Sequence, residues 1–92
     1  MKPVHPGRIL KRELKARNLS ANALALALRT PSGRIVDILN GKRGVSPETA
    51  LRLSRYFGNS ALFWLNLQTA YELALAEEAH GERIAQEVSP AA

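Results

Sequence analysis

The stretch SANALALALRTPSGRIVDILNG, residues 20–41, is the most informative part of the sequence, because it holds two helical patterns separated by a break. Ser20 can cap the first helix, since a serine hydroxyl accepts a hydrogen bond from a free amide of the first turn. Pro31 disfavours helical geometry at the residue before it. The Asn-Gly pair that closes the stretch suits the end of the second helix. The sequence therefore predicts two short helices, over about 20–28 and about 32–40.

The first of these helices alternates alanine and leucine from Ala23 to Leu28, and a period of two is also typical of a strand. We reject the strand because both residue types favour helices and neither is β-branched. In a helix, Leu24 and Leu28 share one face, while Leu26 is either exposed or part of a contact. Two short helices joined by a three-residue break indicate a helix-turn-helix unit at about 20–40.

Three further helices complete the predicted architecture. Proline suits a first helical turn, and it stands at Pro6 and Pro47. Residues that tolerate the left-handed conformation at a helix end follow each pattern, at Asn18, Gly58 and Gly81. The sequence thus favours an all-α fold of five helices with an extended C-terminal helix. The three additional helices are predicted at about 6–17, about 46–57 and about 60–80.

Length and composition limit the class of protein. A chain of 92 residues suits one domain, which we expect over residues 1–80, with an acidic, partly frayed tail over 81–92. There is no cysteine and there are only two histidines, so we expect no disulfide, no metal site and no cofactor. No apolar run is long enough for a membrane span, and no signal peptide is visible. We expect a soluble cytoplasmic protein without membrane contact.

The charge is divided unevenly along the chain. Residues 1–56 carry twelve basic and three acidic residues, a formal net charge of +9. Residues 57–92 carry one basic and five acidic residues, a formal net charge of −4. A strongly basic part joined to an acidic part indicates a module that binds a polyanion, such as nucleic acid, and a segment with another task.

The second helix of a helix-turn-helix unit enters the major groove of DNA, and its first residues reach the base edges. Arg34 can pair with guanine O6 and N7. Asp37 can accept a hydrogen bond from cytosine N4, or it can hold Arg34 from one turn away. We expect base contacts from Pro31, Ser32, Gly33, Arg34 and Asp37.

Phosphate contacts position such a unit without reading the sequence. Asn22 lies near the amino end of the first helix, where helix amides favour anions. Lys42 and Arg43 form a basic, glycine-flanked loop after the second helix. We expect phosphate contacts from Asn22, Thr30, Asn40, Lys42 and Arg43.

Three stretches carry a family resemblance: HPG at 5–7, ILNGKRG at 38–44, and the pair TALRL at 49–53 and FWLNLQ at 63–68. They resemble the HigA/VapI antitoxin branch of the Cro/C1-type (XRE) helix-turn-helix family, over about residues 5–72. The resemblance implies a lambda-repressor-like domain of five helices. It also implies an antitoxin that neutralises a HigB-type, RelE-like toxin that cleaves messenger RNA. It further implies a homodimer that represses its own operon at a palindromic operator.

All five aromatic residues lie within one segment of 16 residues, in and before the predicted C-terminal helix. Phe63, Trp64 and Leu67 have the spacing of a core face, although the resemblance favours a dimer seam on this helix. Tyr71 and Leu75 continue the stripe beyond what a small domain can cover, which indicates a partner. We assign Phe63, Trp64, Leu67, Tyr71 and Leu75 to a dimer interface, with core packing as the alternative for the first three.

The sequence shows no nucleophile with a nearby base, no metal-ligand spacing and no phosphate-binding glycine loop, so we expect no enzyme activity. Two alternatives to the antitoxin remain open. One is a stand-alone repressor without a toxin, which the absence of a neighbouring gene for a small basic RNase-like protein would favour. The other is a helical protein-binding adaptor that has lost DNA binding. Unchanged DNA affinity after Arg34→Ala and Lys42→Ala would favour the adaptor.

Overall fold

The computed structural model describes residues 2–91, and within that range it contains five helices and no strand. The all-α class and the number of helices are therefore confirmed. The first four helices begin and end within about one residue of the predicted limits. The helices are α1 (Pro6–Ala16), α2 (Ala21–Leu28), α3 (Ser32–Leu39), α4 (Pro47–Phe57) and α5 (Ala61–Glu87).

Local capping explains why these limits were predictable. The hydroxyls of Ser20, Ser46 and Ser60 each accept a hydrogen bond from the amide three residues later, at 3.0, 3.3 and 3.0 Å. Each cap satisfies an amide that the helix itself leaves without a partner. Asn18 and Gly58 adopt left-handed backbone conformations, with φ of 52° and 77°, after α1 and α4. Both turns thus use residues that tolerate this conformation.

The core lies between the first four helices and the first turns of α5. Trp64 is fully buried there, its ring 5.8 Å from that of Phe57, and its Nε1 donates a hydrogen bond to Asn59 Oδ1 at 2.9 Å. The assignment of Trp64 to a dimer interface is therefore wrong, and the core alternative is confirmed for this residue. The buried apolar side chains are Leu10, Leu14, Leu24, Ala25, Leu28, Ile35, Ile38, Val45, Ala50, Leu53 and Trp64.

The start of α1 crosses the end of α3 at very short range. A Cβ built on Gly7 would overlap the carbonyl oxygen of Ile38, which belongs to the backbone and cannot rotate away. Only glycine therefore permits this crossing. The crossing brings the residues before α1 next to the loop that follows α3.

Helix α5 is longer than predicted, because it continues through Gly81 to Glu87. The predicted stop at Gly81 is wrong, and the proposed limit of the domain at residue 80 falls inside a helix. A glycine inside a helix costs only about 1 kcal/mol relative to alanine, which the helix-forming residues around it can offset. From Leu75 onward, every residue of α5 except Gly81 is exposed. We call residues 75–87 the distal α5.

The molecule is elongated, with principal extents of 52 × 22 × 22 Å. A helix of 27 residues is about 40 Å long, so α5 accounts for this length. In the part of the chain that the structure describes, no helix is both long and apolar enough to cross a membrane.

Candidate DNA-binding surface

Helices α2 and α3 form the predicted helix-turn-helix unit, held together through their apolar faces. Leu24 and Leu28 of α2 are buried, as are Ile35 and Ile38 of α3. Arg29 ends α2 in a left-handed conformation, with φ of 58°, and reverses the chain into the turn. Burial of one face of α3 leaves its opposite face free for a partner.

The first turn of α3 lies on the surface. Pro31 precedes the helix with φ of −60° and ψ of 140°, and its side chain makes no capping hydrogen bond. Pro31, Ser32 and Gly33 are all exposed, and Asp37 is half-buried one turn later. A Cβ built on Gly33 would meet nothing within 4 Å, so the glycine leaves open space at this position. Four of the five predicted base-contacting residues thus lie on or near the outer face of α3.

The fifth, Arg34, is held by a residue outside the helix-turn-helix unit. Its Nη1 donates a hydrogen bond to Glu48 Oε1 at 3.1 Å, and the two side chains form an ion pair. The alternative that Asp37 holds Arg34 is therefore wrong, because α4 brings a carboxylate closer. Arg52, one turn further along α4, has its Nε 3.8 Å from the same Oε1. Arg52 Nη1 also donates to the Leu28 carbonyl at 2.9 Å, at the end of α2.

The predicted phosphate-contacting residues are not equally accessible. Asn22, Asn40, Lys42 and Arg43 are exposed. Asn22 lies in the first turn of α2, and Asn40 follows the last residue of α3. The Thr30 hydroxyl is buried and has no hydrogen-bond partner among the described residues. A phosphate contact from that hydroxyl therefore does not fit the structure.

The basic loop of residues 41–44 is held against the body by His5. His5 Nδ1 accepts a hydrogen bond from the Gly7 amide at 2.9 Å, and its ring meets the Tyr71 ring edge-on with centroids 4.8 Å apart. Partial burial lowers the pKa of His5 below its ordinary value of 6.5, and a hydrogen bond with the Arg43 backbone partly opposes that shift. The neutral ring thus links the start of α1, the basic loop and α5.

Gln68 of α5 provides a second anchor for the basic loop. Its Oε1 accepts a hydrogen bond from the Val45 amide at 2.8 Å, directly after the loop. A Cβ built on Gly44 would lie 2.8 Å from Gln68 Nε2, so the loop and α5 are in close contact. The backbone that carries Lys42 and Arg43 is therefore supported on both sides.

The remaining interface candidates form a partly exposed stripe on α5. Phe63 and Leu75 are 42% and 43% exposed, and Leu67 and Tyr71 are half-buried. Leu26, with an exposed fraction of 72%, lies on α2 away from its buried face. Further exposed apolar side chains, which sequence reasoning did not single out, are Leu51, Leu62, Leu73 and Ile84.

Sequence reasoning also missed Glu48 and Gln68 as members of this site. Glu48 is an acidic residue in the first turn of a predicted helix, where a negative charge interacts favourably with the helix dipole. Gln68 lies within the FWLNLQ stretch that carries the family resemblance. Their partners are 14 and 23 positions away in the chain, and no local pattern indicates such pairs.

A helix-turn-helix unit whose second helix has an exposed outer face is typical of DNA-binding proteins, and comparison with known families agrees. A family profile described as "Helix-turn-helix" matches residues 10–65, and the chain belongs to this family. This is a family of DNA-binding regulators rather than enzymes, as the sequence led us to expect.

Within the family, the relatives point to the HigA antitoxins. Virulence-associated protein I of Dichelobacter nodosus is 53% identical over 79 residues, which are 85% of this chain and 73% of that protein. An addiction module antidote protein of the HigA family from Coxiella burnetii is 47% identical, with a TM-score of 0.96 over 99% of this chain and 100% of that chain. Pseudomonas aeruginosa antitoxin HigA, solved with the higBA promoter, is 44% identical, with a TM-score of 0.95 over 99% and 100%. The expected resemblance to this branch is confirmed.

Proposed function

We propose that this chain is a cytoplasmic antitoxin that represses its own operon by binding double-stranded operator DNA. The observation that carries the proposal is the free outer face of α3 on a fold that matches an antitoxin solved with its promoter. The formal net charge of +9 over residues 1–56 gives this body the attraction for phosphates that such binding needs.

In the proposed complex, a homodimer places two copies of α3 in successive major grooves of a palindromic site, about 34–36 Å apart. Base contacts come from the exposed side of α3 and discriminate between sequences. Phosphate contacts come from the start of α2, the end of α3 and the basic loop, and they set the register. The proposed base contacts are Pro31, Ser32, Gly33, Arg34 and Asp37, and the proposed phosphate contacts are Asn22, Asn40, Lys42 and Arg43.

We assign the dimer interface to the stripe Phe63, Leu67, Tyr71 and Leu75 on α5. Its support is that apolar side chains remain partly exposed along one helix after the core is complete. Covering them on a second copy would remove that apolar surface from water.

We further propose that the chain neutralises a HigB-like toxin that cleaves messenger RNA. The support is its likeness to antidote and antitoxin proteins of the HigA type over the whole chain. A stand-alone repressor without a toxin is the second candidate, and the free DNA-binding face favours it equally.

DNA binding is tested by fluorescence anisotropy with a duplex from the chain's own promoter and a shuffled duplex. Lys42→Ala should weaken both affinities by a similar factor, whereas Arg34→Ala should relax discrimination between them. Arg83→Ala removes the same charge from the distal α5 and is the matched control. If each subunit neutralises about four phosphates, a plot of log K against log salt concentration should have a slope of about −7. Salt-independent binding, or no effect of Arg34→Ala and Lys42→Ala, would favour the adaptor alternative.

The toxin is tested by purifying the tagged chain from its native cell and separating the eluate by size. We expect a small co-purifying protein that arrests growth when it is expressed alone. A homodimer that carries only its own promoter DNA would support the stand-alone repressor and would contradict the proposal of a toxin partner.

A further inference from the structure

Glu48 is an acidic residue in a part of the chain that is otherwise strongly basic. It is one of only three acids in residues 1–56, and its side chain is 65% exposed. A carboxylate beside a DNA-binding face repels the phosphate backbone and lowers affinity. An exposed ion pair also contributes little to folding stability. The dipole of α4 favours an acidic residue in its first turn, but it does not require one whose carboxylate also holds Arg34.

Two arginines lie close to the Glu48 carboxylate. Arg52 donates to the Leu28 carbonyl at 2.9 Å, which anchors the guanidinium at the end of α2. The same guanidinium lies 3.8 Å from Glu48 Oε1. Arg34 Nη1 then donates to this oxygen at 3.1 Å. Arg34 thus donates a hydrogen bond to Glu48, whereas Arg52 lies at ion-pair distance from the same oxygen and makes no hydrogen bond to it.

Arg34 keeps hydrogen-bonding capacity after this contact. A guanidinium has five N–H donors in one plane, so one edge can hold a carboxylate while another meets a base. The Arg34 side chain is 28% exposed, which leaves part of it accessible at the surface. Without a partner, a long flexible arginine beside DNA would also contact phosphates, which carry no sequence information.

We propose that Glu48 is a positioning residue for DNA readout. It fixes the Arg34 guanidinium for a guanine edge and keeps this arginine away from phosphates. The inference rests on the proposed DNA-binding function. Glu48 therefore raises the ratio of promoter affinity to shuffled-DNA affinity, and it does so by weakening non-specific binding and by ordering Arg34 before binding.

The test measures this ratio for the full chain and three variants by fluorescence anisotropy at several salt concentrations. Glu48→Gln removes the charge and keeps the shape, and Glu48→Asp keeps the charge but withdraws the carboxylate from Arg34. Glu13→Gln is the matched control, because Glu13 forms a comparable exposed pair with Arg17 on α1, at 3.3 Å. We expect both Glu48 variants to lower the ratio on the order of fivefold, part of the discrimination of one bidentate base contact. The control should leave the ratio unchanged.

A second measurement separates positioning from a general change of charge or stability. In an Arg34→Ala background, Glu48→Gln should have no further effect on the ratio, because no arginine remains to be positioned. An unchanged ratio in Glu48→Gln, or an equal fall of the ratio with and without Arg34, would overturn the inference. A parent chain that does not distinguish its promoter from shuffled DNA would instead overturn the proposed function. Since Glu48 is exposed, circular dichroism should show that all variants are folded. If Glu48→Gln does not fold, Glu48→Asp still measures the effect on the affinity ratio.

Discussion

The body of the molecule and the distal α5 differ in both packing and charge. The body, residues 2–74, contains the whole buried core, and residues 1–56 carry a formal net charge of +9. The distal α5 buries no side chain, and it carries four glutamates against one arginine. The two regions thus present surfaces of opposite charge, and they suit partners of different chemistry. Only the body is suited to a polyanion.

The comparison also shows two ways in which a helix is stabilised. Short α2 and α3 depend on the core, because isolated helices of eight residues are marginal in water. The distal α5 has no such packing, but it continues a helix that is already nucleated by packed turns around Trp64. Each further residue then adds a hydrogen bond without a new nucleus. Helix formers and the Arg83–Glu87 ion pair, at 3.7 Å, support it.

The two regions should differ most in how much stability is lost when a large apolar side chain is truncated to alanine. Trp64→Ala should lower the free energy of unfolding by about 3–5 kcal/mol, since it leaves a cavity in the core and removes the partner of Asn59. Ile84→Ala, on the distal α5, should change it by less than about 0.5 kcal/mol. Urea unfolding followed by circular dichroism measures both. A large loss in Ile84→Ala would show that the distal α5 is covered in solution.

A second test compares two glycines of the body. Gly7→Ala should destabilise the fold by about 2–3 kcal/mol, because its Cβ would overlap the Ile38 carbonyl and force α1 away from α3. Gly33→Ala has open space in a helix and should stabilise it, by up to about 1 kcal/mol. Thermal melts should show a lower melting temperature for Gly7→Ala and a higher one for Gly33→Ala. Equal melting temperatures would contradict the close crossing of α1 and α3.

The third test uses pH at the junction of α1, the basic loop and α5. Burial lowers the pKa of His5 in the folded chain below 6.5, so the unfolded chain binds more protons at intermediate pH. This contribution to stability is therefore complete above about pH 6.5 and is lost as the pH falls toward the folded-state pKa.

We expect the melting temperature to fall between pH 7.5 and 5.5, and the fall to be smaller in His5→Asn than in the parent chain. Asparagine can still cap α1, so the variant removes the titration and keeps a cap. If His5→Asn and the parent chain show the same fall, the neutral His5 ring does not contribute.

The smallest expected effect comes from shortening the distal α5. In a chain that ends at His80, the described residues that are lost, 81–91, are all exposed apart from the half-buried Gly81. Its free energy of unfolding should therefore stay within about 0.5 kcal/mol of that of the full chain. The truncation removes Glu82, Arg83 and Glu87, one net negative charge, so the shortened chain should bind shuffled DNA slightly better. A marked loss of stability would show that the contrast between body and distal α5 does not hold in solution.

Several features of the fold were predictable because their causes are local. The caps at Ser20, Ser46 and Ser60 depend on a side chain and an amide three residues away, so their pattern is present in the sequence itself. The apolar spacing of Ile35 and Ile38 likewise indicated which face of α3 is buried. The exposed opposite face followed from that spacing.

Other features depended on which elements meet in space. The sequence allowed Trp64 to lie in the core or at a dimer seam, since its spacing fits both, and only the packing of α5 on α4 decided for the core. The sequence offered Asp37 as the partner of Arg34, whereas the fold brought Glu48 closer. Gly81 looked like a helix end because its preference is local, but the continuing helix overrides a cost of about 1 kcal/mol.

Local patterns in the sequence were enough to predict the five helices, their order, the division of charge and the exposed face of α3. These follow from capping, periodicity and composition, which act over a few residues and need no knowledge of the packing. Helix packing accounts for the Glu48–Arg34 pair, the contacts of His5 and Gln68 with the basic loop, and the glycine-dependent crossing at Gly7. Those contacts join residues far apart in the chain, and their distances are set by how the helices pack rather than by any local preference.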